Sequence, residues 1–260
     1  MIHPTALVDP GASLADDVEV GPYAIIGDGV RLADGCKVAA GAQLIGRVEV
    51  GAGTSIGNGA IIGADPQHLT FVPETVSGVR IGKDNTIREL VTIHRSAAAD
   101  GWTMVGDDNF LMAGVHLAHD VVLGDGNVIA NNCLLAGHVE VGSRTFLGGG
   151  SVFHQFIRLG DLCMTQGNSA ISKDVPPYCT AYRLNRLAGL NAIGLRRAGF
   201  SPALRSELKG VYRAAYASAD PFREAVAKLT EKPDWQPETK CLLEALARPS
   251  PKGVCFPKSN

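Results

Sequence analysis

Apolar residues, nearly all of them aliphatic, recur at every sixth position along two long series, and only Thr165 is not apolar. A period of six does not match the 3.6 residues of a helical turn, but it is a multiple of two, so these side chains can all face one way on short strands. The pattern predicts a solenoid in which each coil covers the apolar face of its neighbour. The first series is Ile2, Val8, Leu14, Val20, Ile26, Leu32, Val38, Leu44, Val50, Ile56 and Ile62, and the second is Val105, Leu111, Leu117, Leu123, Ile129, Leu135, Val141, Leu147, Phe153, Leu159, Thr165 and Ile171.

The period is interrupted twice. After Ile62 it resumes at Ile81, and a second break follows Ile93. Insertions in a solenoid project as loops, and such loops often carry function. Two prolines in residues 173–178 end the pattern, as expected for strands. We therefore predict a parallel β-helix over residues 1–178, with projecting loops at about 64–80 and 94–104.

Residues 179–260 have a different pattern, which predicts a small helical domain. Ser201-Pro202 reads as an N-cap with proline at the first helical position, before a segment of helical composition over residues 203–217. Asp220-Pro221 repeats this signal ahead of a helix that leads to Leu229. A third helix is predicted over residues 238–247, with three leucines on one face.

Composition and charge narrow the class of protein. The chain has 31 glycines, 6% aromatic residues and a net charge of −2, and it has no basic run interleaved with aromatics, so we expect no nucleic-acid partner. No segment approaches the length of a membrane span, and the first residues lack the features of a signal peptide. The six cysteines form no CxxC pair, which is typical of reduced thiols. These features predict a cytoplasmic protein. The cysteines are Cys36, Cys133, Cys163, Cys179, Cys241 and Cys255.

Four of the seven histidines fall near one edge of the predicted β-helix: His116, His119, His138 and His154. Coils built from three successive repeats place His138 above Asp120, which directly follows His119. At a corner of the coil these two adjacent side chains need not face opposite sides, so a His–Asp hydrogen bond is possible. A histidine whose tautomer is fixed by a carboxylate is a natural general base.

Two other interpretations of the histidines stay open on the residues alone. Three histidines from stacked coils or neighbouring subunits can bind zinc, as in carbonic anhydrases built on a left-handed β-helix. The sequence has no repeated pair of histidines two residues apart, and His119-Asp120 is more typical of a base with an orienting carboxylate. A non-catalytic trimeric scaffold is the other alternative.

Several segments resemble the acyl-carrier-protein–UDP-N-acetylglucosamine O-acyltransferase family, which makes the first dedicated step of lipid A synthesis. The likeness extends over essentially the whole chain and includes His116-Leu-Ala-His-Asp120 and His154-Gln-Phe156. It implies a left-handed, three-sided β-helix, a homotrimer with active sites between adjacent subunits, and no cofactor or metal. The other matching segments are residues 80–95, 130–138, 174–178, 189–191 and 194–200.

The resemblance also implies roles for individual residues. His119 matches the general base, Asp120 its orienting carboxylate, and the Gly137 N–H the donor to the oxyanion. Met164 and Gly167 match the acyl-chain groove, where a glycine leaves room for a longer chain. Substrate contacts are expected from His68, His116, His138, His154, Gln155, Asn191, Arg196 and Arg197. Apart from the resemblance, the basic residues can be read in two ways from their charge: as a dock for the acidic acyl carrier protein, or as a solvated helical face. They are Arg183, Arg186, Arg196, Arg197 and Arg205.

The chain departs from the family where the sugar nucleotide binds. Asp and Lys of the first loop are replaced by His68 and Thr70, an acidic helical residue by Ile193, and one of two paired arginines by Ala198. The resemblance implies transfer of a 3-hydroxyacyl chain from acyl carrier protein to the 3-position of UDP-N-acetylglucosamine, and the departures concern only the acceptor. The alternative is the same reaction on another acceptor, such as a 3-amino nucleotide sugar.

Overall fold

A computed structural model describes residues 1–232 and 234–257. It contains a long stack of short strands followed by four helices. The strands are β1 (Leu7–Val8), β2 (Ser13–Leu14), β3 (Glu19–Val20), β4 (Ile25–Ile26), β5 (Arg31–Leu32), β6 (Lys37–Val38), β7 (Gln43–Leu44), β8 (Arg47–Val50), β9 (Ser55–Ile56), β10 (Ile61–Ala64), β11 (Gly78–Ile81), β12 (Thr86–Ile87), β13 (Thr92–His94), β14 (Trp102–Val105), β15 (Phe110–Leu111), β16 (His116–Leu117), β17 (Val122–Leu123), β18 (Val128–Ile129), β19 (Leu134–Leu135), β20 (Glu140–Val141), β21 (Phe146–Leu147), β22 (Val152–Phe153), β23 (Arg158–Leu159), β24 (Met164–Thr165), β25 (Ala170–Ile171), β26 (Cys179–Tyr182), β27 (Arg186–Leu190) and β28 (Phe256–Pro257).

Every third strand of the stack joins the same sheet, so the coils form a prism with three parallel faces. One face runs from β1 through β4 to β25, the second from β2 through β5 to β23, and the third from β3 through β6 to β24. In an uninterrupted coil the pairing partner lies three repeats further along the chain, as in Leu117 with Leu135. The period of six seen in the sequence is therefore one face of one coil.

The aliphatic series forms the core. Every member from Val20 to Ile171 is buried, including Thr165. Ile2 is the clear exception at 50% exposed, because no coil of the described residues lies beneath it. Stacked coils bury the faces that single coils expose, and the last members of the series are covered by strand β26 and the helices.

The corners of the coils have a regular backbone conformation. From residue 108 to 168, every sixth residue has φ between 52° and 70°, in the left-handed region. Asp120, His138 and Phe156 occupy the same corner in three successive coils, with φ of 61°, 60° and 65°. A left-handed φ is unfavourable for residues with a β-carbon, so the backbone at these three residues is held in an uncommon conformation by the surrounding ladder.

Two loops interrupt the stack, at residues 65–77 and 95–101. Both are shorter than predicted because residues 78–81 and 102–105 form strands β11 and β14, which pair in full register. The loops lengthen the coils that contain them. Thr92 therefore pairs with His116, which lies four repeats further along the chain and not three.

The helices are α1 (Ala192–Arg197), α2 (Pro202–Tyr216), α3 (Phe222–Thr230) and α4 (Pro237–Ala247). Ser201 caps α2 as predicted, and its Oγ accepts from the Leu204 N–H at 3.1 Å. The predicted Asp220 cap of α3 is wrong. Pro221 is the N-cap, without a side-chain hydrogen bond, and Asp220 instead pairs with Lys228 at 2.7 Å. On α4 the three predicted leucines, Leu242, Leu243 and Leu246, are buried.

Residues 179–190 form two strands, although the sequence placed them with the helical part. β26 extends the third face in parallel, and β27 pairs antiparallel with β26. The division of the chain at residue 178 stays a prediction. No helix of the described residues is long and apolar enough to cross a membrane.

Candidate active site

His119 and Asp120 form a hydrogen-bonded pair at a corner of the prism. His119 Nδ1 lies 2.8 Å from Asp120 Oδ2, and the two side chains are 13% and 14% exposed. Adjacent side chains on a straight strand would face opposite ways. The left-handed φ of Asp120 turns its carboxylate back toward the preceding ring. The pairing that the sequence left open is therefore present.

Hydrogen bonds keep the Asp120 carboxylate ionised. Burial alone would raise the pKa of Asp120, but hydrogen bonds from Ser96, from His119 and from the Ala97 N–H together lower it. The Ser96 hydroxyl donates to Oδ1, and the Ala97 N–H donates to Oδ2 at 3.2 Å. Because an ionised carboxylate only accepts hydrogen bonds, His119 Nδ1 carries the proton and Nε2 is left as the basic nitrogen.

Two histidine rings lie beside the His119 imidazole, and a phenylalanine ring stacks on one of them. The His68 ring lies 5.6 Å from that of His119, and the His138 ring lies 5.2 Å away, both nearly perpendicular to it. Phe156 stacks on His138 at 4.5 Å between centroids. Burial lowers the pKa of His138, although the Asp120 charge opposes this. The sequence did not identify Phe156 as a site residue, although its place one full coil after His138 is a usable signal.

His94 and His116 form a second pair that the sequence analysis missed. Their ring centroids are 4.8 Å apart, and His116 Nδ1 lies 2.7 Å from Thr92 Oγ1. Burial, with a smaller contribution from His94, lowers the pKa of His116 to about 4, so this ring is neutral at pH 7. His94 was overlooked because the 95–101 loop breaks the regular spacing of three repeats per coil.

Gly137 lies directly beside the His119 ring. A β-carbon at this position would meet His119 Cε1 at 2.6 Å and Nε2 at 2.8 Å. Within the described residues, the Gly137 N–H donates no hydrogen bond. An unoccupied amide close to a basic nitrogen suits a reaction that develops negative charge on oxygen.

Arg95 fastens the 65–77 loop to the prism. Its Nη2 lies 2.8 Å from Asp65 Oδ1 and donates to the Pro73 carbonyl at 2.7 Å, while Nη1 donates to the Thr75 carbonyl. The guanidinium also lies 4.8 Å from the centre of the Phe71 ring. These contacts hold the loop in the fold that brings His68 over His119.

The remaining predicted residues of the β-helix lie on the coils that follow His138. His154 and Gln155 are exposed, and Met164 lies on β24 beside Phe146. A β-carbon at Gly167 would lie 3.1 Å from the Gly149 carbonyl oxygen.

Asn191 has a structural task in this chain. It caps α1 by accepting from the Gly194 N–H at 3.0 Å, and it donates to the Leu162 carbonyl at 2.9 Å. Arg196 and Arg197 are exposed in the last turn of α1. Their side chains are thus presented to solvent, away from the helix's buried Leu195.

A metal ion is the other chemistry that these residues allow. One ligand atom from each of His119, Asp120 and His138 lies within 4.8 Å of the other two. In a tetrahedral zinc site with bonds of 2.0–2.1 Å, neighbouring ligand atoms are about 3.3 Å apart. The 2.8 Å between His119 Nδ1 and Asp120 Oδ2 is shorter and fits a hydrogen bond better.

The chain was compared with known proteins. The family model for UDP N-acetylglucosamine O-acyltransferase, domain 2, matches residues 174–255, and the model for bacterial transferase hexapeptide repeats matches residues 103–137. An acyl-[acyl-carrier-protein]–UDP-N-acetylglucosamine O-acyltransferase of Thiobacillus denitrificans is 47% identical over 95% of this chain and 96% of its own length. A Janthinobacterium protein of the same name is 43% identical over 98% of both chains. The chain belongs to this acyltransferase family.

Solved structures agree with this assignment. The UDP-N-acetylglucosamine O-acyltransferase of Moraxella catarrhalis superimposes with a TM-score of 0.93 at 37% identity, covering 98% of this chain and 99% of its own. The corresponding enzyme of Francisella novicida gives 0.95 at 31% identity, covering 100% and 95%. The fold is the left-handed parallel β-helix of this family, with a small helical part at its C-terminal end.

Proposed function

We propose that the protein moves a 3-hydroxyacyl chain from acyl carrier protein to the 3-hydroxyl of UDP-N-acetylglucosamine, the first step of lipid A biosynthesis. The observation that carries the proposal is the His119–Asp120 hydrogen bond of 2.8 Å, next to Gly137, which packs against the His119 ring. Membership of the family supports the choice of donor and acceptor.

The reaction follows from these groups. His119 Nε2 takes the proton of the sugar 3-hydroxyl as its oxygen attacks the thioester carbonyl carbon. The carbonyl electrons move to oxygen, and the Gly137 N–H donates to the oxyanion. As the intermediate collapses, the carbon–sulfur bond breaks and the carrier thiol leaves with the proton from His119. Asp120 holds the imidazole in the tautomer that can accept and return this proton.

Substrate binding involves residues from more than one subunit in this proposal. We assign nucleotide-sugar contacts to His68, His116, His138, His154, Gln155, Asn191, Arg196 and Arg197, and the acyl groove to Met164 and Gly167. A homotrimer would bring the helical-domain residues to a neighbour's His119. The exposed apolar side chains of Leu134 (45%), Phe146 (40%) and Val152 (43%) on two faces support burial against other copies.

The unpaired cysteines support a cytoplasmic location. All six are free, and five of them are buried. Free thiols persist in a reducing compartment such as the cytoplasm. In this proposal the acyl donor, acyl carrier protein, is found in the same compartment.

The test is direct assay. The purified protein is incubated with 3-hydroxyacyl carrier protein and UDP-N-acetylglucosamine, and the acylated nucleotide sugar is sought by mass spectrometry. His119→Ala is expected to lose about 10²- to 10⁴-fold in kcat because a general base of this kind contributes that much. His3→Ala removes an exposed histidine far along the stack and serves as the matched control. Product from wild type but equal product from His119→Ala would reject the mechanism.

A second acceptor is favoured by one specific observation. His68 lies over His119, and its Nδ1 is 3.3 Å from Thr70 Oγ1. In the family that the chain resembles, Asp stands at the position of His68 and Lys at the position of Thr70. The ionic partners of the sugar are therefore replaced by a mutually hydrogen-bonded pair. An assay with equal amounts of UDP-N-acetylglucosamine and its 3-amino analogue decides between acceptors, since the preferred one has the larger kcat/KM.

A further inference from the structure

Ser96 lies in the 95–101 loop and is fully buried at 0% exposed. Its hydroxyl donates to Asp120 Oδ1, on the side of the carboxylate opposite the oxygen that binds His119. We propose that Ser96 is a positioning residue, which acts on the reaction through Asp120 and touches neither substrate. The proposal rests on the function proposed above, because it concerns how the same base is held.

His138 is a second histidine that could bind the Asp120 carboxylate in competition with His119. His138 Nε2 lies 3.7 Å from Asp120 Oδ2, close enough to become a hydrogen bond after a small rotation of the carboxylate. Without Ser96, the partners of the carboxylate that remain within the described residues are the Ala97 N–H at 3.2 Å and His119 itself. Both histidines approach Oδ2, so rotation toward His138 would lengthen the contact with His119 Nδ1. In this proposal the Ser96 hydroxyl therefore favours the pairing of Asp120 with His119.

Ser96 is itself held firmly in place. The Ser77 hydroxyl donates to its carbonyl oxygen at 2.6 Å, and the Ala98 N–H donates to its Oγ at 3.0 Å. A β-carbon at Gly101 would lie 2.2 Å from Ser96 Oγ, so the loop closes tightly around the hydroxyl. The 95–101 loop therefore positions a buried hydrogen-bond donor, the Ser96 hydroxyl, against Asp120.

The decisive experiment is a double-mutant cycle between Ser96→Ala and Asp120→Ala, with kcat and KM measured for both substrates. Loss of one hydrogen bond to a charged group is expected to lower kcat about tenfold. KM for the nucleotide sugar should change by less than about twofold, because Ser96 does not bind it. In the Asp120→Ala background the same substitution is expected to have no further effect. An unchanged kcat in Ser96→Ala, or an equal loss in both backgrounds, would overturn the proposal.

Two further variants control for folding. Thr54→Ala removes another buried hydroxyl, one that donates to the Gly82 carbonyl at 3.0 Å in a remote coil, and it should keep wild-type kcat. Ser96→Cys keeps a donor at the same place in the side chain, but the thiol is larger and donates more weakly, so its kcat is expected between those of wild type and Ser96→Ala. It decides the question if Ser96→Ala does not fold.

A crystal structure of the Ser96→Ala protein separates this inference from the proposed function. We expect the Asp120 carboxylate to rotate and its contact with His119 Nδ1 to lengthen beyond hydrogen-bonding distance. A retained hydrogen bond between these two side chains would overturn the role of Ser96 whether or not the protein transfers acyl groups. Wild-type protein without acyl transfer would instead contradict the proposed function.

Discussion

Gly137 and His119 are packed so closely that the glycine has no room for a side chain: a β-carbon would sit 2.6 Å from Cε1 of the imidazole. Gly137→Ala must therefore displace the His119 ring or the Gly137 amide, and both belong to the proposed chemistry. We expect kcat to fall about 100-fold or more, since small misplacements of catalytic groups have effects of this size. Steady-state kinetics with circular dichroism of the variant checks this.

Gly210→Ala is the matched control. Gly210 lies in α2 with open space around its β-carbon position among the described residues. We expect unchanged kcat and a gain of about 0.5–1 kcal/mol in stability, because alanine is the better helix former. A Gly137→Ala enzyme as active as Gly210→Ala would show that the ring tolerates the added methyl group.

Much of the fold follows from the period of six, because a single sequence register decides which side chains are buried in every coil. Handedness does not follow from that register; it entered through family resemblance. Within the site, His119 and Asp120 are adjacent in sequence, and His138 lies three repeats after Asp120. A regular coil of three repeats therefore predicted that these residues lie together. His94 and Ser96 were missed because the loop that carries Ser96 makes the coil longer, so counting fails where the chain departs from its repeat. The packing of His68 against His119 depends on contacts between side chains of the 65–77 loop and Arg95, which no local pattern encodes.

Arg95→Ala is expected to release the 65–77 loop. The side chain is 12% exposed, and it joins Asp65, two backbone carbonyls and Phe71. Without it, His68 would no longer be held at its position over His119, and we expect KM for the nucleotide sugar to rise about tenfold with a smaller change in kcat. Arg95→Lys should resemble Arg95→Ala because lysine lacks the planar fork that makes these contacts.

Proteolysis gives an independent measurement of the same loop. Chymotrypsin should cleave Arg95→Ala near Phe71 faster than it cleaves wild type, since a released loop is a better substrate. Lys37→Ala, which breaks an exposed ion pair with Glu19, is the control for loss of a surface charge. Cleavage and KM equal to those of this control would contradict the role of Arg95.

The general base and a zinc site at His119, Asp120 and His138 can be told apart by metal content and by the effect of EDTA. Because the His119–Asp120 distance fits a hydrogen bond, we expect far less than one zinc per chain by elemental analysis, and full activity after EDTA treatment. Stoichiometric zinc that disappears in His138→Ala, together with activity lost to EDTA and restored by zinc, would favour the metal site instead.

The buried His116 should make stability depend on pH. Its pKa in the folded protein is about 4, below the ordinary value of 6.5, with burial as the main cause. The unfolded chain therefore binds a proton below pH 6.5 that the folded protein does not accept until about pH 4. As a result, stability falls as the pH is lowered through this window.

Replacing His116 with Gln removes this contribution. Between pH 7 and pH 5 we expect wild type to lose on the order of 1 kcal/mol more than His116→Gln, a value reduced for the partial exposure of the ring. Urea unfolding at one fixed protein concentration measures the difference, since any assembly makes stability depend on concentration. His3→Gln, at an exposed position, should keep the wild-type dependence. If His116→Gln also keeps it, protonation of another group, of which the neighbouring buried His94 is the first candidate, must account for the loss at acid pH.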